Sequence, residues 1–391
     1  MVNQGMRNIL FRLCRVAVGA ACALALSGAA VSAQEIETKA KHAILVDLST
    51  NTVLFQKAGE EPTAPASMSK MMLLYMVFER LAAGTLHMED TFNVSEKAWR
   101  MGGSKMFVRV ATRVSLTDLL KGIIIQSGND ACIVVAEGLA SSETEFARQM
   151  TQRGRELGLL HSTFVNSTGW PDEGQIMSVH DIALLATHLI RDFPQYYSLF
   201  SETTFTYNDI KQGNRNPLLY DYPGADGVKT GHTDEAGYGI AASAERNGRR
   251  LVLVVQGLAT EKERATEVGR LMDWGFREFS NYTLFRAGDV AAEAPVWLGE
   301  RASVPLVVGQ DMTLTLGRNA RKGMTVKAVY DGPLPASIRK GDHLGDLVVE
   351  LPGQAMVRVP LLAGADIDQL GLFGRLGAAL SYLVWGPAAA H

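Results

Sequence analysis

Cysteine is scarce in this 391-residue chain: there are three, and Cys14 and Cys22 both fall within the first 33 residues. Beyond that stretch only Cys132 remains, so the rest of the chain can close no intrachain disulfide. Its surroundings, "NDACIVVAEGLA", read as those of a small core residue; a catalytic thiol is the alternative. The histidines are scattered, with no H-E-x-x-H and no Cys/His cluster. A zinc site therefore has no support, and no cofactor is implied. No long basic run exists and the formal net charge is -3, which speaks against a nucleic-acid partner. Charged residues make up 20% and hydrophobic ones 47%, a balance that suits a folded globular protein with room for two domains.

What is present begins with a leader. Arg7, Arg12 and Arg15 form a basic start without any acidic residue. "VAVGAACALALSGAA" follows, apolar but short for a membrane span, and "VSA" ends it with small residues. Residues 1–33 therefore read as a secretory signal cut after Ala33, the alternative being an uncleaved N-terminal anchor. Cys22 has no leucine three residues before it, which argues against a lipoprotein signal. Cleavage takes the formal charge from -3 to -6.

The remaining chain changes texture twice. "HAILVDLSTNTVLFQKAG" predicts a β-hairpin, and a helix then ends near Gly84. The segment from about Thr91 to Pro217 reads as mainly helical: "SLTDLLKGIIIQ" has a Ser and an Asp in its first turn, "SSETEFARQMTQRGRELG" starts like a capped helix and ends at a Gly, and "SVHDIALLATHLIRDF" has helical apolar spacing. "GVKTGHT", "GYGIAASAER" and "RRLVLVVQGLA" predict three strands, the last two joined over Asn247-Gly248. "TEKERATEVGRLMDWGFREF" predicts the closing helix. The expected fold class is α+β: an antiparallel sheet assembled from both ends of residues 34–282, with helices packed around it. Residues 283–363 carry short strands broken by Gly and Pro, the pattern of a small all-β domain. In residues 364–391, Ile367, Leu370, Phe373, Leu376, Leu380 and Leu383 recur at helical spacing, with Tyr382 and Trp385 nearby. This stripe reads as an in-plane membrane anchor, or alternatively as a helix docked on its own protein.

The chemistry is concentrated in three short strings. In "PASMSKMMLLYMVF", Ser67 and Lys70 are three apart, which places them on one helix face about 5–6 Å apart at Cβ. A serine hydroxyl needs a base, and a lysine serves as one when apolar burial or a neighbouring cation lowers its pKa. By itself S-x-x-K is weak, since composition alone yields about one in such a chain. "QSGNDA" offers Ser127 and Asn129, a hydroxyl to relay a proton and an amide to orient a carbonyl; by itself it is a turn or a helix cap. "GVKTGHT" offers Lys229 and Thr230 for a carboxylate, with Gly231 allowing a substrate backbone close to the strand; by itself it is an edge strand.

Together and in this order, the strings resemble the S-x-x-K, S-x-N and K-T-G signatures of the penicillin-binding and serine β-lactamase superfamily. "APASMSKMM", "QSGNDAC", "VKTGHTDEAGYGIAASA" and "LMDWGFREF" resemble the D-alanyl-D-alanine carboxypeptidases, and "GPLPASIRKGDHLGDL" resembles their C-terminal β domain. The resemblance implies a β-lactamase-like transpeptidase fold. It implies a substrate, the peptidoglycan stem peptide, and inhibitors, the β-lactams. Ser67 would be the nucleophile, Lys70 its base and Ser127 a proton relay. Asn129 would hold substrate amides, Lys229 would keep the local field positive and Thr230 would bind the terminal carboxylate. The N–H groups of Ser67 and His232 would form the oxyanion hole, and Arg264 would lie near the substrate carboxylate. The same resemblance puts the protein on the periplasmic face of the inner membrane. Three readings compete. A class A β-lactamase usually carries E-x-x-L-N, which is absent here. A D,D-endopeptidase and a catalytically silent wall-binding protein are the other two.

Overall fold

The computed structural model describes residues 36–318, 320, 323–351 and 356–377. The leader assigned to residues 1–33 lies outside them.

The first strands are His42–Asp47 (β1) and Thr52–Lys57 (β2), an antiparallel hairpin. A short turn, Ala66–Ser69, leads into helix Lys70–Ala82 (α1), which stops before Gly84 at φ +67°. Next come Thr91–Asn93 (β3), Glu96–Arg100 (α2), Arg113–Ser115 (β4), Leu116–Ile125 (α3), Asn129–Leu139 (α4), Glu143–Glu156 (α5) and Val179–Asp192 (α6). Ser115, Ser142 and Ser178 cap α3, α5 and α6: each hydroxyl accepts from the backbone N–H three residues on. Pro194–Tyr197 (α7), Thr204–Tyr207 (β5), Ile210–Gly213 (β6) and Leu218–Asp221 (α8) lead to the main strands, Ala225–Thr233 (β7), Gly237–Arg246 (β8) and Arg249–Leu258 (β9). Glu261–Glu278 (α9) closes this part.

The α+β expectation is borne out. The five-stranded antiparallel sheet runs β2-β1-β9-β8-β7, so strands from both ends of the segment meet at the β1–β9 pair. Side chains alternate across it. Ile44, Val46, Val252 and Val254 point into a core shared with α1, α3, α4 and α6. Ala43, Leu45, Leu251, Leu253 and Val255 point the other way, onto Val268, Leu271 and Met272 of α9. Burial on both faces is why these strands read as continuous apolar runs. Helix α1 is buried from Lys70 through Phe78, at the centre of the larger core, which is why its sequence is apolar on every side. The β5–β6 hairpin was not anticipated within the helical middle. Its signal is Asn208-Asp209, both at positive φ, between two short strands.

From Phe279 to Ala363 the described elements are all strands: Phe279–Phe285 (β10), Val290–Trp297 (β11), Ser303–Val308 (β12), Met312–Gly317 (β13), Thr325–Val329 (β14), Leu334–Pro335 (β15), His343–Glu350 (β16) and Val357–Ala363 (β17). They enclose a third core around Leu306, Val349 and Leu361. The tail differs from the expected helix. Ile367 is buried in this β core and pairs with Ile338, while Leu370 N–H donates to Leu298 O. Helix begins only at Leu372 and is described to Gly377, with Leu372, Phe373 and Leu376 exposed. Leu380, Tyr382, Leu383 and Trp385 lie outside the described residues. Among the described residues no helix is long and apolar enough to cross a membrane.

Candidate active site

Ser67 sits in the Ala66–Ser69 turn, half-buried, just before α1. Ser69 Oγ donates to Ala66 O at 3.0 Å, and Met68 N–H donates to Pro65 O at 3.2 Å. Ala66 has φ +49°, in the left-handed region, which costs an L-residue about 1–2 kcal/mol. Two glycines hold the turn from outside. A Cβ on Gly169, at φ +79°, would stand 1.9 Å from Ala66 O. A Cβ on Gly231 would stand 3.0 Å from Pro65 O and 3.2 Å from both Ala66 Cβ and Met68 Cγ. The absent side chain of Gly231 is therefore needed where β7 packs on the nucleophile turn. That is a different reason from the close substrate approach expected from the sequence.

Lys70 is completely buried. Its Nζ lies 2.7 Å from Ser67 Oγ, 2.8 Å from Asn129 Oδ1 and 2.5 Å from Thr168 O. Only the first of these three partners has a proton to give. A neutral amine has two N–H groups and one lone pair. Asn129 and Thr168 can only accept here, so they take both N–H groups, and the lone pair is left for the Ser67 hydroxyl. The Lys70 pKa is lowered to about 8: burial is the largest cause and the Arg215 guanidinium acts in the same direction, while Cys132 and Asp130 oppose.

Asn129 ties the lysine to the 102–104 segment. Its Nδ2 donates to Gly102 O at 2.9 Å and its backbone N–H to Ser104 O at 2.7 Å. Ser127 is buried at φ +60°, and its Oγ has no hydrogen-bond partner among the described residues. Strained backbone at Ala66, next to Ser67, and at Ser127, two residues before Asn129, is the pattern of a functional site. Lys229, Thr230, Gly231 and His232 follow one another along β7, the edge strand of the sheet. Lys229 is buried and donates to Thr230 O at 3.0 Å. Burial holds its pKa well below the ordinary lysine value, and repulsion from Lys70 and Arg215 adds to this. His232 is exposed and stacks on Tyr238, ring centroids 3.9 Å apart.

A cleft of about 450 Å³ opens over Ser67. Its walls are the Gly103–Ser104 segment with Asn129, the 168–171 segment, and the 232–235 turn. Arg264 does not line it. That side chain is buried, donates to Glu261 Oε1 at 2.7 Å and Arg215 O at 3.1 Å, and lies 5.9 Å from the Tyr238 ring. A larger groove of about 980 Å³ lies along α5, but it joins no nucleophile to a base.

Several functional groups escaped the sequence reading. Arg215 spans to the opposite wall, its Nη1 donating to Ser104 Oγ at 2.6 Å. Nothing in "GNRNP" marks it. Asp130 is fully buried, and its carboxylate accepts the N–H groups of Met106, Phe107, Val108 and Ala131 at 2.9–3.2 Å. It pins the segment that carries Gly102–Ser104 to the start of α4, and its place beside Asn129 was the available clue. Thr168 contributes a backbone carbonyl, which no side-chain motif encodes. Cys132 is the free, buried core residue expected, its thiol pushed up to about 12 by burial.

A serine in a tight turn, hydrogen-bonded to a buried, pKa-depressed lysine beside an edge strand able to receive a peptide, defines a serine hydrolase that works by acyl transfer. The chain belongs to the D-alanyl-D-alanine carboxypeptidase family, whose model matches residues 29–260. The model of the penicillin-binding protein 5 C-terminal domain matches residues 279–369. D-alanyl-D-alanine carboxypeptidase DacA of Haemophilus influenzae is 36% identical over 90% of this chain and 93% of its own length. DacC of Escherichia coli is 36% identical over 85% of each chain. Among solved structures, penicillin-binding protein 5 from Haemophilus influenzae superimposes with a TM-score of 0.76 at 34% identity, covering 86% of this chain and all of that one. Penicillin-binding protein D2 from Listeria monocytogenes, in an ampicillin-bound form, has a TM-score of 0.58 at 26% identity and covers 63% of this chain and all of that one.

Proposed function

We propose that this chain removes the terminal D-alanine from peptidoglycan stem pentapeptides through an acyl-enzyme on Ser67. The carrying observation is the Lys70 environment: two partners that only accept, and Ser67 Oγ at 2.7 Å. Lys70 takes the hydroxyl proton as Ser67 Oγ forms a bond to the penultimate alanine carbonyl. The peptide C–N bond breaks, and Ser127, whose hydroxyl has no partner among the described residues, relays the proton to the leaving amine. Water then cleaves the ester, freeing Ser67 and a tetrapeptide carboxylate. The N–H groups of Ser67 and His232 hold the oxyanion, each donor worth roughly 3–4 kcal/mol in such chemistry. Asn129 holds the substrate amides and Thr230 the terminal carboxylate. Lys229 gains its full charge when that carboxylate arrives, since two buried amines alone repel each other's protons. Arg264 supports Arg215 and Tyr238 from behind. β-Lactams acylate Ser67 in the same way, in keeping with the ampicillin-bound relative. Export by residues 1–33 and attachment through the exposed apolar residues after Leu370 put the enzyme on the periplasmic face of the inner membrane.

The test is release of free D-alanine from stem pentapeptide by the wild type and by Ser67→Ala, with mass spectrometry after penicillin. Release that is lost in the variant, with an adduct on Ser67, is expected. Rapid penicillin turnover without D-alanine release would instead mean a β-lactamase. No adduct at all would mean a silent binding protein.

A further inference from the structure

Among the side chains that line the cleft, Trp170 and Pro171 are the apolar ones; the rest are Ser, Thr, Asn, His, Asp and Glu. Trp170 is 46% exposed, yet it is held firmly. Its backbone N–H donates to Asn166 Oδ1 and Thr168 Oγ1, both at 3.1 Å, and its carbonyl accepts Asn166 Nδ2 at 3.0 Å. The indole's six-membered ring rests on backbone that bears no side chain. A Cβ on Gly102 would lie 3.5 Å from Trp170 Cη2, and one on Gly103 would lie 3.0 Å from Cζ3 and 2.8 Å from Asn129 Nδ2. The same glycine thus admits both the indole and the Asn129 amide. An exposed aromatic with a fixed backbone, at the rim of a reactive cleft, is a ready anchor: it offers apolar area at little cost in conformational entropy.

We propose that Trp170 determines specificity by taking the aliphatic side chain of the residue that precedes the penultimate D-alanine. This rests on the stem-peptide reading of the cleft. In that reading the terminal carboxylate lies at Thr230 and the scissile carbonyl at Ser67. The preceding residue then runs past Asn129, and Trp170 stands beside Gly103 on that side. The polar remainder of the cleft offers nothing else for several methylenes to cover. The expected ligand is a stem peptide whose third residue has a long, unbranched chain.

Two substrates with uncharged side chains and the same terminal carboxylate test this: Nα,Nε-diacetyl-L-Lys-D-Ala-D-Ala and Nα-acetyl-L-Ala-D-Ala-D-Ala. The wild type should favour the first, and Trp170→Ala should lower the ratio of the two kcat/KM values by roughly tenfold or more, the usual yield of a few methylenes in an apolar contact. Trp170→Phe should keep part of the preference. A merely structural role would slow both substrates alike, so an unchanged ratio in Trp170→Ala overturns the proposal. Penicillin acylation of each variant confirms that the cleft is folded. If the wild type is acylated by penicillin but releases D-alanine from neither peptide, the stem-peptide reading fails and this proposal with it.

Discussion

The acylation step should follow the protonation state of Lys70. Its pKa is lowered to about 8, and burial is the largest cause. Acylation needs the neutral amine, because only then does a lone pair face Ser67 Oγ. With a pKa of about 8, half the lysine is neutral at pH 8, about one-tenth at pH 7 and about one-hundredth at pH 6. The first-order rate of Ser67 acylation at saturating penicillin should therefore rise tenfold per pH unit on the acid side and then level off. The penicillin carboxylate stays ionised throughout, so the limb belongs to the enzyme. Arg215→Gln removes a positive neighbour and should move the limb to higher pH. Stopped-flow acylation with a chromogenic β-lactam measures both. A rate independent of pH from 5 to 9, or a limb that moves to lower pH in Arg215→Gln, refutes the assignment of Lys70 as the base.

Asp130→Asn keeps the shape but turns an NH₂ toward two backbone N–H donors, whichever way the amide faces. It should cost about 2–4 kcal/mol in urea unfolding, and loss of the negative charge should shift the acylation limb to lower pH, opposite to Arg215→Gln. Gly169→Ala combines a left-handed φ with a Cβ 1.9 Å from Ala66 O. A destabilisation of about 2–5 kcal/mol and acylation slowed by at least a hundredfold are expected from urea titration and penicillin labelling. Ending the chain after Leu370 should free the protein from membranes with its unfolding midpoint intact. Ending it after Ala365 should also strip buried Ile367 from the β core and cost about 2–5 kcal/mol. Sedimentation with vesicles and thermal unfolding of the two truncations separate these effects.

How much was legible in the sequence depended on how local the signal was. Capping serines, the Asn247-Gly248 hairpin and the apolar run of α1 are set by residues a few positions apart, and those elements formed where the pattern put them. The tail was less legible. Ile367 and Leu370 fit a helical stripe, but burial in the β core won over periodicity. The β5–β6 hairpin was hidden by short strands with little apolar content.

That a hydroxyl stands one turn ahead of an amine at the head of an apolar helix follows from the segment alone, because a three-residue spacing needs nothing beyond it. Only the tertiary structure decided that the amine can be a base. Its two other hydrogen-bond partners come from 59 and 98 residues away, and the charges of Asp130 and Arg215 reach it from separate parts of the chain. A pKa is a property of everything packed around a group, and that packing is not written in any one stretch of the chain.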